Sequence, residues 1–349
     1  MPSEDLVRRG LYASLTIVGV PGNILVIMAF LLLSYEENRL LAAEAIVLHL
    51  TCANLLVVVV RCLTETLASF HVVNVFGDAG CKGVIFIYRT SRALSIWLTF
   101  LLSTYQCLSI SPPGSYWASV RVLLAQNLVF VFLFLWVLNT TMSSGAILFS
   151  LSSKNDSSPT NNAVNLEFCF VSFPSDLSKE IFGAVQVSRD VVPMTLMTLT
   201  SVIILVLLYQ HNQHMNDLHR NSNASGGRCG AKRRAAKVVV VLVTLYLGLY
   251  GVDCGLWVYT LTVKKTMSSS LISDLRVFFA SMYAALSPLV IIVSNRKAGL
   301  SLHKTGPVSL CSASGKSFEP KGPVLSLIPL RLCVSTGLLS GFKARNQTF

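Results

Sequence analysis

The chain is poor in charge. Only 13% of its 349 residues are Asp, Glu, Lys or Arg, whereas 53% are hydrophobic and the mean hydropathy is +0.63. Because soluble domains carry about a quarter charged residues, this composition is typical of a membrane protein. Acidic residues are scarcest, with 16 against 28 basic ones and a net charge of +12.

That positive charge does not indicate nucleic-acid binding. The basic residues lie in short segments between apolar runs and in the tail, as they do in cytoplasmic loops. The chain also lacks the interleaved aromatic and basic residues that bind single strands. We therefore predict membrane lipid, and no nucleic acid, around this protein.

Signatures of catalysis are missing as well. The sequence contains no HExxH, no GxSxG and no Gly-rich dinucleotide turn. His211, His214 and His219 have roughly metal-like spacing but no accompanying cysteine or carboxylate pattern. We predict that the protein is not an enzyme and holds no metal and no cofactor.

Long apolar runs are what the chain does have. A membrane-spanning helix needs about 20 mainly apolar residues, and seven stretches meet this length, at about 11–33, 44–69, 82–108, 122–149, 186–209, 236–262 and 272–294. They predict an all-α, seven-transmembrane helix bundle over residues 11–304. Residues 1–10 are expected to be the extracellular amino terminus and not a cleavable signal peptide, because they lead directly into an apolar run too long for one. Residues 305–349 show no helical period and are expected to form an unstructured tail.

The distribution of Lys and Arg sets the direction of the bundle. The 210–235 connector and the start of the tail are more basic than the opposite face, which predicts an extracellular amino terminus and a cytoplasmic carboxyl terminus. This orientation puts the 150–185 connector outside. Asn155 begins an Asn-Asp-Ser triplet there and is predicted to be glycosylated.

Cysteine usage points to a single disulfide. Of nine cysteines, most fall inside apolar runs or predicted cytosolic segments, and only Cys81 and Cys169 reach the oxidising side. A bridge between these two would tie the second outer loop to the third span. Two free thiols are the alternative.

Charged residues inside the apolar runs are the candidate binding residues. Arg89 and Arg92 lie three residues apart, on one side of the third span, and Arg61 can pair with Glu65 four residues later. Such charges are costly in a bilayer and usually face an interior or a wet cavity. We hypothesise a pocket for an amphipathic or anionic ligand between the third, fifth and sixth helices, formed by Tyr88, Arg89, Arg92, Arg189, Asp253 and Trp257. Purely structural ion pairs are the alternative.

The order of residues around these charges resembles one receptor family. The matching blocks are Gly22-Asn23, His49-Leu50, Ala53-Asn54, GCKxxxxxYRxxRxLSI from Gly80, LLSxxQxxSISP from Leu101, SYWASVR from Ser115, Ser188-Arg189-Asp190, Ser287-Pro288 and Ser294-Asn295-Arg296. Over residues 10–300 the chain resembles the vomeronasal type-1 receptors and the fish class-A-related olfactory receptors, within the rhodopsin-like superfamily.

The resemblance implies a chemosensory G-protein-coupled receptor for pheromone-like or odorant small molecules. It would lie in the plasma membrane of olfactory or vomeronasal sensory neurons and signal through an inhibitory-class heterotrimeric G protein. Tyr105-Gln106-Cys107 replaces the Asp-Arg-Tyr of the wider superfamily, and Ser287-Pro288 begins the segment where Asn-Pro-x-x-Tyr would stand. The usual ionic-lock account of activation therefore does not transfer to this chain.

The predicted G-protein surface lies at the inner end of the bundle and includes Tyr105, Gln106, Arg121, Arg233 and Arg234. The rival interpretation is a polytopic transporter or channel that uses the intramembrane charges as a path. Transporters often carry paired internal repeats, and no repeat is visible in this chain.

Overall fold

The computed structural model describes residues 2–37, 40–69, 78–111, 114–145, 147, 150–152, 163–166, 169–172, 175–219, 227–262 and 270–294. The chain divides into two units, Met1–His303 and Lys304–Phe349. The second unit, which holds the predicted tail, lies outside the described residues.

The described residues are almost entirely helical. The helices are α1 (Pro2–Glu37), α2 (Ala42–Val57), α3 (Thr64–Ser69), α4 (Asp78–Ile110), α5 (Tyr116–Gln126), α6 (Leu128–Ser143), α7 (Asp176–His219), α8 (Gly227–Thr262) and α9 (Ser270–Ser294). A π-helical turn, Val58–Leu63, joins α2 to α3 so that all three form one continuous span.

Five helical stretches of this described part are long and apolar enough to cross a membrane. α5 and α6 together form a sixth, bent span, and α9 contains the shorter apolar helix Val277–Val293. These segments correspond to the seven predicted spans and confirm the predicted fold class, a helical membrane bundle. The direction in which the bundle crosses the membrane stays a prediction.

The fourth span differs from the single helix expected over 122–149. α5 and α6 meet at an angle of 71°, and Asn127 stands between them with φ −103° and ψ 19°. Its backbone N–H and its side-chain amide both donate to the carbonyl oxygen of Leu123, at 3.1 and 2.9 Å. A polar side chain that bonds back to the carbonyl four residues earlier often bends a helix, and Asn127 makes such a bond at the bend.

The connector between α6 and α7 contains a small sheet that the sequence did not predict. β1 (Ser150–Ser152), β2 (Ala163–Leu166) and β3 (Cys169–Ser172) form an antiparallel sheet in the order β1-β3-β2. Strands this short show too little alternation to be recognised in a sequence. β1 lies against α4, so the sheet is attached to the helix that carries Cys81.

The bundle is packed around α4. The main cluster of buried apolar side chains draws on α1, α2, α4, α6, α7, α8 and α9. Large apolar side chains also point outward, as Phe130, Leu133 and Val137 do on α6. An apolar exterior suits contact with lipid, and the polar groups are left to the spaces between helices.

Candidate functional site

Arg92 and Asp253 join two distant helices. The Arg92 Nη2 atom of α4 lies 3.2 Å from the Asp253 Oδ2 atom of α8. The Arg92 guanidinium also lies 5.9 Å from the centre of the Tyr250 ring, one turn before Asp253. Both charged residues were predicted for the ligand pocket, and the structure brings them into direct contact.

Arg189 and Asp190 form a second ion pair on α7. The Arg189 Nε atom lies 3.0 Å from the Asp190 Oδ1 atom, and both side chains are buried. Arg189 also donates from Nη1 to the hydroxyl of Ser143 at 3.1 Å. This hydrogen bond links α7 to the end of α6, so Arg189 is held in place before any ligand binds.

Arg89 has different surroundings. Its guanidinium lies 5.2 Å from the centre of the Phe182 ring of α7. Its Nη1 atom is buried and has no hydrogen-bond acceptor among the residues that the structure describes. The positive charges of Arg189 and Arg92 act against the charge of Arg89, and the Asp190 carboxylate favours it.

Together these residues form what we call the charge cluster: Arg89, Arg92, Arg189, Asp190 and Asp253, between α4, α7 and α8. Three guanidinium groups face two carboxylates, which leaves an excess of one positive charge. A buried donor without an acceptor costs about 1–3 kcal/mol. An anionic oxygen near Arg89 would supply that acceptor and balance the charge.

Tyr88 and Trp257 are the other two residues that were predicted for the pocket. Tyr88 lies beside the second span, where its ring centre is 5.8 Å from the Arg61 guanidinium. Arg61 forms the expected ion pair with Glu65, at 2.8 Å and fully buried. Trp257 belongs to α8, but its side chain lies outside the described residues.

A second polar arrangement crosses the middle of the bundle. The Asn54 side-chain amide donates to the Ser287 hydroxyl at 2.8 Å, and the Ser95 hydroxyl donates to the Asn54 Oδ1 atom at 2.5 Å. Thr99 and Tyr283 are joined through their hydroxyl groups at 2.9 Å. We call these residues the mid-bundle network; it connects α2, α4 and α9, and all five side chains are buried.

The structure describes only some of the residues that were predicted to form the disulfide and carry the glycan. Cys81 is buried and disulfide-bonded. Cys169 begins β3, but its side chain is outside the described set, so its pairing with Cys81 stays a prediction. Cys62 and Cys107 are free thiols, whereas Asn155 lies in a part that the structure does not describe.

The predicted G-protein residues have mixed environments. Tyr105 is half-buried against the apolar core, and Gln106 is buried. Arg121 is half-buried on α5, whereas Arg233 and Arg234 belong to α8 with side chains outside the described residues. In this conformation, therefore, Gln106 is not displayed to a partner.

Sequence reasoning missed several residues that the structure places at the site. Phe182 and Ser143 contact Arg89 and Arg189 but carry no charge that would mark them. Ser95 and Ser287 lie in the sequence blocks that resemble the receptor family, and this resemblance was the only sign of their importance. Nothing in those blocks indicated that both hydroxyls bond to the Asn54 side chain. Within the described part of the chain, no three His, Cys, Asp or Glu residues could hold a metal ion.

The helical bundle has the fold of rhodopsin. Squid rhodopsin superposes with a TM-score of 0.68 at 18% identity, over 93% of this chain and 90% of that chain, which shows the fold. Residues 7–299 match the vomeronasal organ pheromone receptor family. The chain belongs to this family of receptors, and it is a multi-pass membrane receptor rather than an enzyme.

Individual relatives agree with this assignment. The chain is 36% identical to "Olfactory receptor class A-like protein 1" of Danio rerio over 281 residues, which is 80% of this chain and 86% of that protein. It is 28% identical to human "Vomeronasal type-1 receptor 3" over 246 residues, covering 70% of this chain and 78% of the relative.

Proposed function

We propose that the protein is a chemosensory receptor that binds a small amphipathic anion at the charge cluster and activates a heterotrimeric G protein of the inhibitory class. Its place of action is the plasma membrane of olfactory or vomeronasal sensory neurons. The names of the vomeronasal and olfactory relatives support the sensory role, and the geometry of the cluster supports the ligand chemistry.

The observation that carries the ligand class is the buried Arg89 Nη1 atom, which has no acceptor in the described part of the chain. A carboxylate or sulfate oxygen accepts hydrogen bonds from a guanidinium, and such charge-assisted bonds are about twice as strong as neutral ones. The Phe182 ring beside Arg89 offers an apolar surface to the rest of the ligand. The bound molecule would therefore have an anionic group and an apolar or aromatic body.

The Arg92–Asp253 ion pair offers a route from binding to activation. An anion that draws Arg92 away from Asp253 loosens the contact between α4 and α8. A ligand shifts a conformational equilibrium only through its different affinities for the two states. Competition with Asp253 for Arg92 provides such a difference, because the anion binds Arg92 more tightly in the state in which the Arg92–Asp253 ion pair is broken.

A dose-response experiment tests the ligand class. Cells co-expressing the receptor and an inhibitory-class G protein would be exposed to a panel of aromatic carboxylates and to their methyl esters. We expect guanine-nucleotide exchange with acids and not with the matched esters, because the ester lacks the anionic oxygens. Uptake of labelled acid without any G protein would instead favour a transporter.

Variants at Arg89 test whether the anionic group of the ligand binds there. Arg89→Gln should raise the half-maximal concentration of an active acid about tenfold or more, since one charge-assisted hydrogen bond contributes about 1.5–3 kcal/mol. Arg89→Lys keeps the charge but loses the planar fork and should have an intermediate effect. Equal acid responses in all three proteins, at equal surface levels, would overturn the assignment of the anion to Arg89.

A further inference from the structure

Three tyrosines connect the charge cluster to the mid-bundle network. Tyr250, which lies under Arg92, stacks on Tyr246 with ring centres 6.1 Å apart and planes 20° apart. Tyr246 then meets Tyr283 of α9 edge-on, with centres 4.7 Å apart. Tyr246 and Tyr283 are buried, so this tyrosine stack runs through the interior of the bundle.

The stack ends on a hydrogen bond with a defined direction. The Thr99 hydroxyl donates its single proton to the backbone oxygen of Ser95 at 2.7 Å. Tyr283 is therefore the donor in the 2.9 Å bond between the two hydroxyls. Ser95 in turn donates to Asn54, whose amide donates to Ser287 beside Pro288 within α9.

We propose that Tyr250, Tyr246 and Tyr283 are positioning residues that couple the Arg92–Asp253 ion pair to the mid-bundle network. When Arg92 leaves Asp253, Tyr250 loses the cation above its ring, and the stack shifts against Tyr283. The shift changes the Tyr283–Thr99 hydrogen bond and with it the packing of α9 against α2 and α4. This inference rests on the proposed function, which it extends from binding to transmission.

Contact between packed groups is the physical basis of the coupling. Arg92 and Thr99 lie seven residues apart on α4, which is about 10 Å along the helix axis. Substitutions at that distance normally act additively when they share no partner. The tyrosine stack is a shared partner made of discrete contacts, so non-additive effects are expected only along it.

A double-mutant cycle on ligand-independent signalling tests the proposal. The readout is guanine-nucleotide exchange on the co-expressed G protein, corrected for surface level, in Arg92→Gln, in Tyr283→Phe and in the double variant. Tyr283→Phe keeps the ring against Tyr246 and removes only the hydrogen bond to Thr99. We expect Arg92→Gln to raise basal exchange, and this rise to shrink about threefold or more in the Tyr283→Phe background.

Ser103→Ala is the matched control. Ser103 is a buried residue further along α4 whose hydroxyl is joined to Thr200 of α7 at 2.7 Å, so it makes an interhelical hydrogen bond away from the tyrosines. Combined with Arg92→Gln it should give additive effects, to within about twofold. Additive behaviour of Tyr283→Phe to the same limit would overturn the coupling.

A second measurement separates failure of the coupling from failure of the proposed function. If the unaltered receptor supports no nucleotide exchange with any G protein, the proposed function fails. The same single and double variants are then compared by the unfolding temperatures of the purified receptors. Non-additive shifts for Arg92→Gln with Tyr283→Phe, and additive ones with Ser103→Ala, would uphold the contact pathway; additive shifts in both would end it.

Discussion

Arg89 and Arg92 are one helical turn apart on α4, yet their partners differ. Arg92 has a carboxylate, Asp253, on α8, whereas Arg89 faces the Phe182 ring of α7. A guanidinium over an aromatic face gains about 0.5–2 kcal/mol but leaves hydrogen-bond donors unused. Arg89 makes no ion pair with a carboxylate among the described residues, so it is the better candidate for binding an anionic ligand.

Gly145 sets the position of the Phe182 ring. A Cβ atom at Gly145 would overlap the edge of that ring, so Gly145→Val should displace Phe182 and, with it, the Arg89 guanidinium. We expect an approximately fivefold weaker response to an active carboxylate, equivalent to losing about 1 kcal/mol of cation–π contact.

The matched control for this change is Gly183→Val on α7, where an added Cβ meets nothing within 4 Å. Its dose-response curve should coincide with that of the unaltered receptor at equal surface level. A weakened response in both variants would mean that the glycines matter for folding rather than for Arg89.

Asn54 is the centre of the mid-bundle network. Asn54→Leu would leave the buried hydroxyls of Ser95 and Ser287 without their partner, at about 1–3 kcal/mol for each unpaired group. We expect a clear drop in the unfolding temperature of the purified receptor.

Asn139→Leu provides the comparison. Asn139 is equally buried, but its amide donates only to Leu135 of its own helix and its Oδ1 atom has no partner in the described part of the chain. Its replacement should be nearly neutral. Equal losses in the two variants would contradict a special role of Asn54.

Among the helices, α1 and α9 come unusually close. A Cβ atom at Gly19 would lie 3.0 Å from both the Ala285 Cβ and the Val58 Cγ2 atoms, and one at Gly22 would lie 3.0 Å from the Pro288 Cγ atom. Small residues at such crossings let backbones approach, and dispersion then holds the helices together. Pro288 lies inside α9 at this crossing, next to Ser287 of the mid-bundle network.

Gly19→Val should force the two helices apart. Overpacking of this kind costs about 1–3 kcal/mol, which we expect to appear as a lower unfolding temperature and lower surface expression. Gly10→Val on the same helix carries the same change in helix propensity into open space and should leave both values unchanged. An unaffected Gly19→Val receptor would show that α1 and α9 pack less closely than described.

At the scale of the whole molecule, the direction of the chain through the membrane is set by charge outside the spans. The basic 210–235 connector and tail favour a cytoplasmic carboxyl terminus, and the disulfide at Cys81 is consistent with an oxidising environment at the start of α4. Both observations support the prediction that the α6–α7 connector, with its sheet, faces the outside.

Glycosylation at Asn155 tests this direction. We expect the unaltered receptor from mammalian cells to migrate faster after treatment with an N-glycosidase, and Asn155→Gln to migrate at that faster position without treatment. Asn223 begins another Asn-x-Ser triplet, which the same orientation puts inside the cell. Asn223→Gln should therefore migrate like the unaltered receptor. If Asn223→Gln removed the glycan and Asn155→Gln did not, the bundle would cross the membrane in the opposite direction.

Much of the fold followed from local sequence. Span positions depend on the length and polarity of single segments, and the cost of an intramembrane charge marks Arg92, Arg189 and Asp253 wherever their helices pack. The bend at Asn127 was missed because it coincides with a single side-chain bond to a backbone carbonyl, which has no periodic signal in the sequence. The sheet was missed because its strands are too short to show a period.

By itself, then, the sequence determined the seven-span class, the family and the residues whose charge had to be accommodated. Only the tertiary structure decided how they are partnered: Arg92 with Asp253, 161 residues away, Arg89 with Phe182, and Asn54 with Ser287. The physical reason is that spans are set by transfer of each segment into lipid. Partners instead depend on the rotation and close packing of helices that are remote in sequence.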